Sequence, residues 1–271
     1  MTGALVALLT DFGAADGYVG VMKGVILGIA PDSRLVDITA EIPTHDIVAG
    51  AWVLGTSWRY FPAETIFLAV VDPGVGSARR AVALRVSGHW FIGPDNGLAT
   101  PLLDAASSID AVRLQPERYA AGPISATFHG RDLFAPAAAH LAKGARLADL
   151  GEPLDATSLV RLAPVKPVWR DTTLVAHVVH KDHFGNLITD VAGSLAERVM
   201  ATPESAAQVA GHLVRDRARS YAEAPAGVLA LILDSSGHLA LCLKAASAAA
   251  VFHVSRGDEV HILGLPADAG A

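Results

Sequence analysis

The sequence is poor in cysteine, aromatic residues and charge, with one cysteine, 6% aromatic and 18% charged residues in a chain of 271. A single thiol, Cys242, excludes an internal disulfide framework. Its place in the apolar run Leu239-Ala240-Leu241-Cys242-Leu243 marks it as a buried strand residue suited to a reducing cytoplasm. Long apolar runs are missing too. The run Ala4–Leu9 is too short for a secretory core and has no basic residue ahead of it, and no other run approaches the ~20 residues of a membrane span, so neither export nor membrane insertion is expected. Positive charge is scarce and scattered at a net charge of −6, which argues against a nucleic-acid partner. What is present is a 52% hydrophobic chain able to bury a sizeable core, of a length that suits two domains.

Ala4–Leu9 is a continuous apolar run of strand length, followed by a helical face of Val19, Met22, Ile26 and Ile29 that Pro31 stops. The pattern recurs: Leu35–Ile38 reads as a strand, Ile47, Ala51, Leu54 and Trp58 as a helical face, and Ile66–Val71 as a second fully apolar strand. Strands buried on both faces between helices imply an α/β domain with a mostly parallel sheet. A further helix is expected over about Leu133–Lys143, with Pro136 in its first turn and Gly144 as its stop. From Asp155 to Pro167 the periodicity lapses and Pro164 and Pro167 lie close together, as in a linker, which sets the expected domains at 1–160 and 168–271. Beyond it Thr173–Val179, Gly227–Leu233, His238–Leu243 and Glu259–Leu263 read as short strands, with Asp234-Ser235-Ser236-Gly237 as a turn, so the second domain is expected to be mainly β and barrel-like.

Polar residues appear abruptly where two apolar strands end, at Thr10-Asp11-Phe12-Gly13 and at Asp72-Pro73-Gly74, and open α/β sheets bind ligands at that edge. Asp11 and Asp72 are therefore either ligand-binding carboxylates or turn and capping residues. Arg79 follows Asp72 closely enough to turn back onto it, or else forms a solvated pair with Arg80. His129 in His129-Gly130-Arg131-Asp132 is a proton carrier or a polar loop residue. Asp182-His183-Phe184-Gly185-Asn186 joins a carboxylate, an aromatic face and an amide, a set able to read an adenosine, or a β-turn with a core Phe. The glycines near Asp72 form neither a dinucleotide fingerprint nor a phosphate loop, His45-Asp46 and His180–His183 have no metal-ligand spacing, and no nucleophile elbow is present. No metal is expected.

Taken together and in order, these runs resemble the S-adenosylmethionine hydrolase family, also called S-adenosylmethionine hydroxide adenosyltransferases, which is related to the fluorinase and chlorinase that make 5′-halogenated adenosines. The carrying residues are Thr10–Gly13 with Asp16-Gly17-Tyr18-Val19-Gly20 and Met22-Lys23-Gly24, then Asp72-Pro73-Gly74-Val75-Gly76 with Arg79, Gly93-Pro94-Asp95-Asn96-Gly97, Phe128–Asp132 and Asp182–Asn186. The resemblance runs from Thr10 to about Ala249. It implies an N-terminal α/β domain, a smaller C-terminal β-barrel domain, and a homotrimer with active sites at its subunit interfaces. It also implies a catalytic set of Asp72, Arg79 and His129, with Asp11 on the ribose. By the same matching Asp182 holds the methionine amino group, Asn186 the ribose, Phe184 and Tyr221 flank the adenine, and Ser235 and the backbone near Ala245 complete the pocket. S-adenosylmethionine is then the substrate, and no separate cofactor is implied.

Halogenating relatives replace the aspartate by a non-ionisable residue, and the fluorinase carries a long insertion before the strand matching Trp90-Phe91-Ile92. Here Asp72 is present and Val86-Ser87-Gly88-His89 is short, so water is the expected nucleophile at the 5′ carbon and adenosine and methionine the products. Ser236 stands where the fluorinase has an arginine, and Asp190 where many relatives have asparagine. With Arg79 as a neighbour, Asp72 is expected to orient water while Arg79 and His129 stabilise hydroxide character. The rival readings are a halide-using, chlorinase-like adenosyltransferase and a non-catalytic sensor of adenosine or S-adenosylmethionine.

Overall fold

Apolar strands covered on both faces organise the first half of the chain: β1 (Leu5–Thr10), α1 (Tyr18–Ile29), β2 (Arg34–Thr39), α2 (Ile47–Ser57) and β3 (Ile66–Val70) follow one another as two β-α-β crossovers. The computed structural model describes residues 3–120 and 122–266, so the ends of the expected domains at 1 and 271 lie outside the described residues. The chain divides into two units, Met1–Leu162 and Ala163–Ala271.

In the first unit β4 (Ala81–Val86), β5 (His89–Pro94), α3 (Thr100–Asp104), β6 (Ile109–Leu114), α4 (Ala135–Ala142), α5 (Leu147–Leu150) and β7 (Gly151–Pro153) complete the set. Side chains alternate across the sheet. Val6, Leu8, Ile66, Leu68 and Val70 meet Met22 and Ile26 of α1 and the alanines of α4, while Ala7, Leu9, Phe67, Ala69 and Val71 meet Leu54 of α2 and Leu102 of α3. That is why β1 and β3 read as unbroken apolar runs. Met22 and Ile26 are fully buried, and burial of such a side chain contributes roughly 1.5–3 kcal/mol. Asp46 caps α2, accepting from the N–H of Ala49 at 2.9 Å, and Pro136 sits within the first two positions of α4.

The strand order is β2-β1-β3-β5-β4-β6-β7. The pairings among β2, β1, β3 and β5 are parallel, but those from β5 outward through β4, β6 and β7 are antiparallel, so the sheet is mixed where a mostly parallel one was expected. The cause is local. β4 and β5 are joined by Ser87 and Gly88 alone, both with positive φ of 50° and 76°, the signature of a tight hairpin too short for a crossover. The stretch expected to begin the linker is instead tied to this unit: the N–H of Val160 donates to Asp95 Oδ1 and that of Leu162 to Thr100 Oγ1, each at 2.9 Å. Side-chain acceptors hold an aperiodic segment that has no repeat for sequence reading to detect.

The second unit contains β8 (Val168–Arg170), β9 (Thr173–Lys181), β10 (Leu187–Ala192), α6 (Gly193–Ala201), β11 (Ala206–Val209), β12 (His212–Val214), β13 (Asp216–Arg217), β14 (Leu229–Leu233), β15 (His238–Leu243), α7 (Ala248–Phe252) and β16 (Glu259–Leu263). Their order is β12-β11-β16-β9-β10-β15-β14-β13, with β8 added on β9. The first and last strands of that path are separated in sequence only by Arg215, so the sheet must curl until its edges approach, giving the barrel-like form expected. Leu174, Leu187, Leu231, Leu241 and Ile262 fill its interior, and α6 adds Ala196 and Val199.

Candidate active site

Asp72 lies just beyond the carboxyl end of β3, and Arg79 returns to it through a loop with Val75 N–H bonded to Asp72 O at 3.2 Å and Ser77 N–H to Gly74 O at 3.0 Å. Gly76 makes that loop possible: its φ is +77°, and a Cβ there would stand 2.6 Å from Ala126 O. Arg79 Nε donates to both carboxylate oxygens of Asp72 at 2.9 and 3.0 Å, and Arg79 Nη2 makes a further short bond to Oδ2. The two side chains are only 4% and 11% exposed, so this is a buried ion pair whose geometry satisfies both partners. The same Nη2 reaches Nδ1 of His129 at 2.7 Å, and the guanidinium lies over the ring of Phe134 at 5.3 Å. A guanidinium nitrogen can only donate, so Nδ1 accepts and the imidazole proton resides on Nε2. Burial, and then the charge of Arg79, hold the His129 pKa below its usual value, against the opposing pull of Asp72 and Asp132.

His129 opens a single turn of π-helix, Gly130–Phe134, that leads into α4. Gly130 fits there because Met22, Phe12 and Phe128 crowd its α-carbon, at 3.0 to 3.2 Å from where a Cβ would be. Asp11 directly follows β1 on the same sheet edge, and its Oδ2 accepts from the backbone N–H of His45 at 2.8 Å. Asp11, Asp72 and His129 line one cleft of about 270 Å³, with Phe12, Tyr18 and Phe128 packed edge-to-face along its wall. Arg79 stands behind Asp72 and does not line the cleft.

The second unit holds another cleft, of about 450 Å³, lined by Phe184, Asn186, Tyr221 and the segment Cys242–Ser247, which includes Ala245 in a left-handed conformation at φ +59°. The turn from β9 to β10 builds it. Asp182 Oδ1 accepts from the N–H of Asn186 at 2.8 Å and Oδ2 from its amide Nδ2 at 2.7 Å, while Gly185 has φ +84° and so little room that a Cβ would lie 2.0 Å from Ser247 Oγ. Phe184 is not the core residue that a structural turn would make it, being 75% exposed, and Tyr221 is half exposed. Burial, and then the charges of Asp182 and Asp234, push the Tyr221 pKa up.

Of the residues singled out from the sequence, Asp72, Arg79, His129 and Asp11 are therefore together in the first unit, and Asp182, Phe184, Asn186, Tyr221 and Ala245 in the second. Ser235 does not line the second cleft and lies in the Asp234–Gly237 turn, where Asp234 binds the N–H and hydroxyl of Ser236. Sequence reading gave no role to Tyr18, Thr44, His45 or Thr127, which line the first cleft, nor to Lys244 in the second. The signal available for His45 was its neighbour Asp46, which proves to be a helix cap. Among the described residues no three His, Cys, Asp or Glu side chains are placed to hold a metal ion.

Residues 6–151 match the SAM hydroxide adenosyltransferase N-terminal domain, and residues 176–261 the SAM hydroxide adenosyltransferase C-terminal domain. A (R)-S-adenosyl-L-methionine hydrolase from Salinispora arenicola is 41% identical over 262 residues, covering 95% of this chain and 97% of its own. A fluorinase from an Actinoplanes species is more distant, at 28% identity over 95% of its length and 93% of this chain. An uncharacterized conserved protein from Thermotoga maritima superposes with a TM-score of 0.87 at 31% identity, over 95% of this chain and 99% of that one. The motifs, the two units and these matches agree: the chain belongs to the S-adenosylmethionine hydroxide adenosyltransferase family.

Proposed function

We propose that this protein hydrolyses S-adenosyl-L-methionine to adenosine and L-methionine. The observation that carries the reading is the Asp72 carboxylate, held by Arg79 and set in one cleft with Asp11 and His129. Water attacks the 5′ carbon, the carbon–sulfur bond breaks, its electron pair stays on sulfur, and methionine leaves as a neutral thioether, while the proton of the water passes by way of the Asp72 carboxylate to solvent. Hydroxide character and sulfonium charge cancel as the transition state forms, which a dry, preorganised site favours. Arg79 occupies both oxygens of Asp72, so the carboxylate acts as a fixed acceptor that aims the water at the carbon. His129, neutral at Nδ1, offers its Nε2 proton as a hydrogen bond to the water oxygen. An anion at this place repels halide, which separates the reading from that of a halogenating enzyme.

In the same proposal Asp11 and Asn186 bind the ribose hydroxyls, Phe184 and Tyr221 flank the adenine, Asp182 takes the methionine ammonium, and the Ala245 backbone completes the pocket. Each unit presents part of that set, and the rings proposed to hold the adenine, Phe184 and Tyr221, are 75% and 48% exposed in the single chain. Both facts support a homotrimer with active sites at its subunit interfaces. Cytoplasmic residence is supported by the buried free thiol of Cys242, and among the described residues no helix is long and apolar enough to cross a membrane.

Replacement Asp72→Ala tests the reading. The turnover number on S-adenosylmethionine should fall at least about a hundredfold with the oligomer intact by light scattering. Turnover near that of the wild type in an intact oligomer would contradict it.

A further inference from the structure

The first unit carries a second cleft, of about 630 Å³, at the sheet edge opposite the Asp72 site. Its floor is one lateral row of the sheet: Ile66 of β3 pairs with Trp90 of β5, Trp90 with Arg85 of β4, and Arg85 with Asp110 of β6. Strand alternation puts all four side chains on the face that α4 covers. α4 ends at Ala142, short of this row, and Gly144 turns the chain away at φ +92°, so Leu141 and the segment Gly144–Ala148 roof a groove.

The polar groups around that apolar floor are arranged with opposite signs. Glu64 is held at φ +63°, a strained conformation for a residue with a side chain, and from there its carboxylate accepts from the Trp90 indole N–H at 3.0 Å and from Arg85 Nη2 at 2.6 Å. Arg85 lies over the Trp90 ring at 4.7 Å and has thereby turned from Asp110, its direct cross-strand neighbour, whose carboxylate makes no hydrogen bond or ion pair among the described residues. Arg146, also lining the cleft, spends Nε and Nη2 on Asp149 and keeps Nη1 without a partner among the described residues. An exposed carboxylate with no side-chain partner among the described residues, exposed guanidinium donors and an apolar floor between them match the two charged groups and the side chain of an amino acid.

We infer that this cleft binds a free amino acid with an unbranched apolar side chain, its ammonium on Asp110, its carboxylate on Arg146 and Arg85, and its side chain on Ile66, Leu141 and Trp90. The volume lies within the range of small-molecule sites, about 300–1,000 Å³. L-Methionine has this chemistry and is a product of the reaction proposed above; a feedback role for the cleft rests on that reading, whereas binding does not.

The test is a titration of the intact protein with L-methionine, followed by the methyl resonances of Ile66, Leu141 and Leu147 in a methyl-labelled sample. These methyls should shift and saturate, Asp110→Lys and Arg146→Ala should each weaken that response at least about tenfold, and N-acetylmethionine, which lacks the ammonium, should leave them still. Hydrolysis of S-adenosylmethionine without added methionine should be unchanged in both variants. Methyls that stay still with L-methionine, or that shift equally in Asp110→Lys, overturn the inference. A failed hydrolysis assay with the methyl shifts intact removes the proposed reaction and leaves the site.

Discussion

Arg79 joins Asp72 to His129: one guanidinium donates to both oxygens of the carboxylate and, through Nη2, to the imidazole Nδ1 at 2.7 Å. The three side chains behave as one unit, because moving the arginine frees the carboxylate and the ring together. Arg79→Lys keeps the charge but cannot supply the planar fork. It should lower kcat/KM at least about a hundredfold, or about 2.7 kcal/mol of transition-state stabilisation. Steady-state kinetics checks this, and a near-native value contradicts the coupling.

A lowered His129 pKa has a definite consequence for pH. The folded-state value lies below 6.5 because of burial and then Arg79, so the unfolded chain takes up this proton first as acid is added. The stability this group contributes is thus fully present above pH 6.5 and is lost as pH falls towards the folded value. Turnover should follow the same sign, staying flat through neutrality and declining only below pH 6.5, since protonated Nδ1 can no longer accept from Arg79. In His129→Asn, whose amide oxygen takes the place of Nδ1, that acid limb should vanish from the kcat profile measured between about pH 5 and 8. An unchanged acid limb assigns the proton elsewhere.

Phe184 is 75% exposed and so contributes little to folding. Phe184→Ala should change unfolding free energy in urea by no more than about 0.5 kcal/mol, yet raise KM for S-adenosylmethionine roughly tenfold as the adenine loses a stacking face. A large stability loss with KM unchanged makes Phe184 structural.

The parts of this molecule legible in the sequence are those where one local pattern decides the outcome. β1, β3 and α1 were visible because strands covered on both faces must be apolar throughout, and Asp11 and Asp72 stood out as the first charges after them. The hairpin at Ser87-Gly88 was equally local, but its consequence for strand order depends on partners far along the chain, so the antiparallel half of the sheet went unread. β11 and β12 are only four and three residues long, too short to show a period, and the pairing of β11 with β16 comes from far along the chain. At the site, spacing permitted the Asp72–Arg79 contact without requiring it. His45 enters through its backbone N–H, which any residue but proline could supply, so its side chain gives no signal of that contact.

The origin of the oxygen in the product tests the central claim most directly. Purified protein incubated with S-adenosylmethionine and chloride in ¹⁸O-labelled water should release L-methionine and adenosine carrying the label at its 5′ hydroxyl. Formation of 5′-chloro-5′-deoxyadenosine, or adenosine free of label, would contradict attack by water beside Asp72.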